Sequence, residues 1–200
     1  MRFTGLSDDL DRPAVDAFLS AVDTTMNSNT LLLKVSTDVP ITAGNRQQVL
    51  HAYLRSSLFE EMMLAADRDR DWCNLSDFDG HHNERPLLRD GFLAATSSLS
   101  YAGFRARLRW MLCEAFSPYM THYTDADAER LAHDFTQELF SQDGSTWMVA
   151  SVEPDFLRPS GYFNGEEPVR PVYFDGSDSD TATFIHRDRT CYLLLTNGSP

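Results

Sequence analysis

The side chains able to do chemistry fall in three groups. Asp67, Asp69 and Asp71 alternate in the manner of a calcium loop. Asp77, Asp79, Gly80, His81, His82 and Glu84 follow, and Asp175, Asp178 and Asp180 lie within the run DGSDSD. A calcium loop starting at Asp67 needs glycine at its sixth position and glutamate at its twelfth. Trp72 and Phe78 stand there instead, which excludes that geometry. The second group supplies enough oxygen and imidazole for a divalent metal. A small metal-dependent hydrolase using Asp77, Asp79, His81, His82 and Glu84 is therefore the alternative reading of the chain. The plainer reading is a solvated loop with histidines at its tip. The third group mixes Gly, Ser and Asp as turns between strands do. No metal site and no cofactor are assigned to any of them.

Nucleophile and nucleotide motifs are missing. The chain has no GxSxG elbow, no GxxxxGK[ST] and no GxGxxG, so the common catalytic serine and phosphate loops are excluded. His133-Asp134 lacks the further His and Asp ligands of a metal phosphohydrolase and reads as an exposed helix face. Cys73, Cys113 and Cys191 are far apart, with no CxxC or Cys/His spacing, so neither zinc nor a disulfide framework is expected. Cys113 sits among Met111, Leu112 and Ala115 and reads as a small buried hydrophobe. A nuclease of the restriction-endonuclease type needs an acid pair with a nearby lysine. The single lysine, Lys34, stands in an apolar run without an ExK arrangement. Catalysis is not expected.

What remains is an acid–aromatic stretch. From Glu153 to Asp180 seven acids interleave with Phe156, Tyr162, Phe163, Tyr173 and Phe174. Strand alternation buries some of these rings. The others, rimmed by carboxylates, form apolar anchors in a negative field, which suits a binder of a basic protein. The expected contact residues are Glu153, Asp155, Phe156, Tyr162, Phe163, Glu166, Glu167, Asp175, Asp178 and Asp180.

Charge across the whole chain points the same way. Thirty acids stand against 16 arginines and one lysine, a net charge of −13. Such a field repels nucleic acid and anionic membrane and draws in cationic partners. Residues 1–84 contribute −7, residues 85–113 contribute +4 through five arginines and one acid, and residues 114–200 contribute −10.

These residues need elements to hold them. Pro13 opens a helix with Val15, Phe18, Leu19, Val22 and Met26 on one face. Leu31 to Val35 is a strand or a buried connection. Asn45, with Gln48 in the reciprocal position, caps one long helix carrying Leu50, Leu54, Leu58, Met62 and Ala65. Residues 67–90 form a long loop. A helix through Phe104, Leu108, Met111 and Leu112 follows, with Arg105, Arg107 and Arg109 at its polar positions. A further helix is capped by Thr124, buries Ala128, Leu131, Ala132, Phe135 and Leu139, and stops at Gly144. Beyond Ser145, strands are expected at 146–152, around Tyr162-Phe163 and around Val172 to Phe174. A hairpin joins Thr181–His186 to Cys191–Thr196. The fold expected is α+β, a helical N-terminal two-thirds (1–144) packed against a C-terminal antiparallel β-meander (145–200), in a single domain 1–200. No run of 18 apolar residues is present, and the start MRFTGLSDDLDRP has no basic stretch followed by an apolar one. Neither a membrane span nor a secretory signal is expected, and the protein is expected to be cytoplasmic.

The runs WMVASVEP (147–154), GYFNG (161–165), VYF (172–174), SDTATF (179–184) and YLLLTNG (192–198) resemble bacterial immunity proteins. These accompany polymorphic and type VI secreted toxins, and the nearest group is the family paired with restriction-endonuclease-like DNase toxins. The resemblance covers the last third of the chain. It implies a non-catalytic cytosolic protein that blocks a cognate basic toxin by tight one-to-one binding, with no nucleic-acid or membrane partner.

Overall fold

Two runs of consecutive apolar residues organise this protein. Leu31 to Val35 and Cys191 to Leu195 bury every residue, Lys34 and Tyr192 included. A strand does that only when both faces of its sheet are covered. The computed structural model describes residues 1–5, 12–70, 88–115, 122–140, 147–158 and 179–197, with 67–70 as helical backbone alone. In chain order the elements are β1 (Phe3–Gly5), α1 (Pro13–Met26), β2 (Leu31–Thr37), α2 (Arg46–Leu54) and α3 (Ser57–Arg70). Then come β3 (Thr96–Leu99), α4 (Tyr101–Cys113), α5 (Asp125–Phe140), β4 (Met148–Val152), β5 (Thr181–Arg187) and β6 (Thr190–Thr196).

The strands form one sheet in the order β1-β2-β6-β5-β4-β3, with every pair antiparallel. The two apolar runs lie side by side at its centre, with Leu33 opposite Leu193 and Val35 opposite Cys191. Period-two alternation then splits the core. Leu31, Leu33, Val35, Phe184, Leu193 and Leu195 meet α2 and α3 through Val49, Leu50, Tyr53, Leu54, Phe59 and Met63. Leu32, Val149, Ile185, Tyr192 and Leu194 meet α1, α4 and α5 through Phe18, Val22, Phe104, Leu108, Leu131 and Phe135. The result is three layers, helix–sheet–helix.

The mixed α+β class holds, but the segregation of helices from strands does not. Residues 1–144 supply β1, β2 and β3, because the run at 31–35 is apolar on both faces and belongs in the centre of the sheet. The long second helix is in fact two. Ser56 breaks it: its Oγ donates to the Tyr53 carbonyl at 2.6 Å and accepts the Phe59 amide at 3.3 Å, capping α3. Asn45 makes no cap bond; its side chain accepts from the Thr42 amide and donates to the Pro40 carbonyl. Residues 67–70, expected in a loop, belong to α3, which runs to Arg70, and residues 71–87 lie outside the described residues.

Other expectations stand. Pro13 lies in the first turn of α1. Thr124 Oγ1 accepts the Asp127 amide at the head of α5. The hairpin closes through Asp188, in a left-handed conformation (φ 48°), and Arg189. No helix among the described residues is long and apolar enough to cross a membrane. Gly144 and the strands expected around 162–163 and 172–174 lie outside the described residues.

Candidate functional site

The last pair between β4 and β5 is Val152 with Ala182, so residues just outside each strand end meet although far apart in sequence. Glu153 and Asp180 come together in this way. They line a groove of about 430 Å³ with Ala106, Arg107 and Trp110 of α4, Ser151 and Pro154 beside β4, and Thr181 of β5. Glu153 is exposed, whereas Asp180 is 8% exposed. Arg107 is held by uncharged oxygens: Ser151 Oγ at 2.8 Å, Thr183 Oγ1 at 3.2 Å and the Ala182 carbonyl at 3.4 Å. Burial lowers its pKa, and the charge of Glu153 acts in the opposite direction. The groove therefore combines a carboxylate rim, an indole and a half-buried cation.

Of the remaining expected contact residues, the two that are described, Asp155 and Phe156, do not join it. Asp155 turns to the loop before β3, where Oδ2 accepts the Leu93 amide at 2.9 Å and Oδ1 the Ala94 amide at 2.8 Å. Phe156 was expected as a surface anchor, and this is corrected: it is 0% exposed, its ring 6.3 Å from Phe59. After β4 the chain turns over the α2–α3 side, so Phe156 and Leu157 enter that half of the core. Tyr162, Phe163, Glu166, Glu167, Asp175 and Asp178 lie outside the described residues, as do Asp77, Asp79, His81, His82 and Glu84. Among the described residues no group of three or more His, Cys, Asp or Glu could hold a metal ion.

The arginine-rich helix divides its charges by spacing. Arg105 and Arg109 are four residues apart and share one face. Arg105 pairs with Glu129, and Arg109 with Asp125 at 2.7 Å and Glu114 at 3.6 Å. The Asp125 hydrogen bond raises the Arg109 pKa. Arg107, between them, points to the sheet. Each exposed pair adds little stability, but together they offset the charges of Arg105 and Arg109. His133 and Asp134 are exposed on α5.

Sequence reasoning missed a second pocket altogether. It measures about 490 Å³ and is lined by Ala43, Arg46, Ser98, Leu99, Tyr101, Phe140, Trp147, Met148 and Val149. These come from both helix layers and two strands, so no local motif announces it. Nearby, His186 is 0% exposed, and burial lowers its pKa to about 4, with Arg46 adding to the effect. Burial pushes the Cys191 thiol up to about 12, far from a reactive thiolate. The Lys34 ammonium sits 5.5 Å over the Tyr192 ring, inside the core rather than at either pocket.

No protein-family model, no curated protein and no solved structure matches the chain.

Proposed function

We propose that this protein is a cytoplasmic, non-catalytic immunity protein. It neutralises a cognate secreted bacterial toxin by stoichiometric binding, and the toxin is a basic protein of the nuclease class. A nuclease presents Arg and Lys to phosphates, so an acidic face competes for the same groups and occludes the active site or substrate groove.

One observation carries this reading: the three arginines of α4 are engaged within the fold. Arg105 and Arg109 are paired with Glu129, Asp125 and Glu114, and Arg107 is turned against the sheet. These three arginines of α4 are thus engaged within the fold, while the chain as a whole carries a net charge of −13. The groove lined by Glu153 and Trp110 then offers a basic side chain an exposed carboxylate and an aromatic face.

The test is co-expression with the product of the adjacent upstream open reading frame. Suppression of its toxicity and a one-to-one complex on size-exclusion chromatography with light scattering are expected. Growth arrest unchanged by co-expression, with no complex at micromolar concentration, would overturn the proposal.

A further inference from the structure

The second pocket has a different character from the acidic groove. Among the described residues its only charged lining residue is Arg46, and no acid lines it. Arg46 donates Nε to Thr96 Oγ1 at 3.3 Å and one terminal nitrogen to Ser98 Oγ at 2.9 Å. No carboxylate lies within 4 Å of it among the described residues. A guanidinium carries five N–H donors, so two hydroxyl contacts orient it and leave most of its capacity unused. Arg12, Arg105, Arg109, Arg130 and Arg158 all find carboxylates. Arg46 has no such partner among the described residues, and its remaining donors are left for a ligand in the pocket.

The walls specify the rest. Tyr101 and Phe140 stand 6.1 Å apart, and Phe140 and Trp147 5.7 Å apart, a continuous aromatic surface. Arg187 stacks on the Trp147 indole at 4.8 Å and fixes its plane. A volume of about 490 Å³ is ordinary for a small-molecule site, which combines apolar walls with few polar groups. One cation matches one negative charge, and the field of the whole molecule disfavours polyanions. The planar guanidinium matches a carboxylate.

We propose that this pocket binds a small monoanionic ligand, a carboxylate on an aromatic body, with the carboxylate at Arg46 and the ring against Tyr101, Phe140 and Trp147. The site is independent of toxin binding.

The purified full-length chain is titrated with naphthoate and with the uncharged naphthamide by isothermal calorimetry and tryptophan fluorescence. Saturable one-to-one binding of naphthoate is expected, with naphthamide at least about tenfold weaker, the size of a charge-assisted hydrogen bond. Arg46→Gln removes that preference, while Arg107→Gln, in the other groove, keeps it. Ala43→Trp, on an exposed turn at the mouth, weakens both ligands and guards against a misfolded Arg46 variant. The proposal falls if naphthoate shows no saturable binding, or if acid and amide bind equally. It falls equally if Arg46→Gln retains the preference, or if Ala43→Trp leaves affinity unchanged.

Discussion

His186 and Asp155 show how single residues are committed by their surroundings. Among the described residues neither ring nitrogen of His186 has a hydrogen-bond partner, and the ring stacks on Phe184 at 5.4 Å. Its pKa of about 4 lies below the ordinary value near 6.5, so the unfolded chain takes up a proton first as pH falls. Stability is therefore unaffected above pH ~6.5 and declines down to pH ~4, by about 3 kcal/mol in all. Urea unfolding between pH 7.5 and 4 measures the slope, and His186→Phe should flatten it. Asp155 fastens a strained segment in which Ala94, fully buried, has φ 41°. Asp155→Ala should cost about 1–3 kcal/mol, whereas exposed Glu153→Gln should leave the melting temperature unchanged and slow association with the partner. A destabilised Glu153→Gln would assign that residue to the fold instead. Both acids stand out in the sequence, but their roles do not. Only the backbone path after β4 sends one to the loop amides and the other to the groove.

At the scale of elements, the central strands carry the clearest test. Leu193 and Leu194 are neighbours on β6, and each is essentially unexposed, one in each half of the core. Each change to alanine should cost about 2–5 kcal/mol, read from chemical denaturation. A sheet covered on one face would make one of the two nearly free. Helices α1, α4 and α5 were legible because their apolar residues repeat every three to four positions. The break at Ser56 was not, because the apolar spacing continues through it while a hydroxyl caps the next helix. The placement of β3 was equally hidden: Thr-Ser-Ser-Leu carries no alternation, and it is a strand because β4 pairs with it and Gln47 Oε1 accepts the Thr96 amide at 2.8 Å.

For the whole molecule, net charge governs encounter more than affinity. Association with a basic partner should slow by about tenfold or more as salt rises from 50 to 500 mM, with dissociation much less affected, in stopped-flow fluorescence. A salt-independent association rate would remove electrostatic competition from the mechanism. The sequence by itself determined the sign and size of this field, the mixed α+β class, the helices with a clear apolar stripe and the closing hairpin. All of these follow from residue type and short-range period. Tertiary structure decided where the charge acts. Antiparallel pairing brought Glu153 to Asp180, the packing of α4 on α5 cancelled Arg105 and Arg109, and the turn after β4 withdrew Phe156 into the core. The aromatic pocket around Arg46 exists only because distant segments converge there, and spacing along a chain cannot encode that in any local pattern.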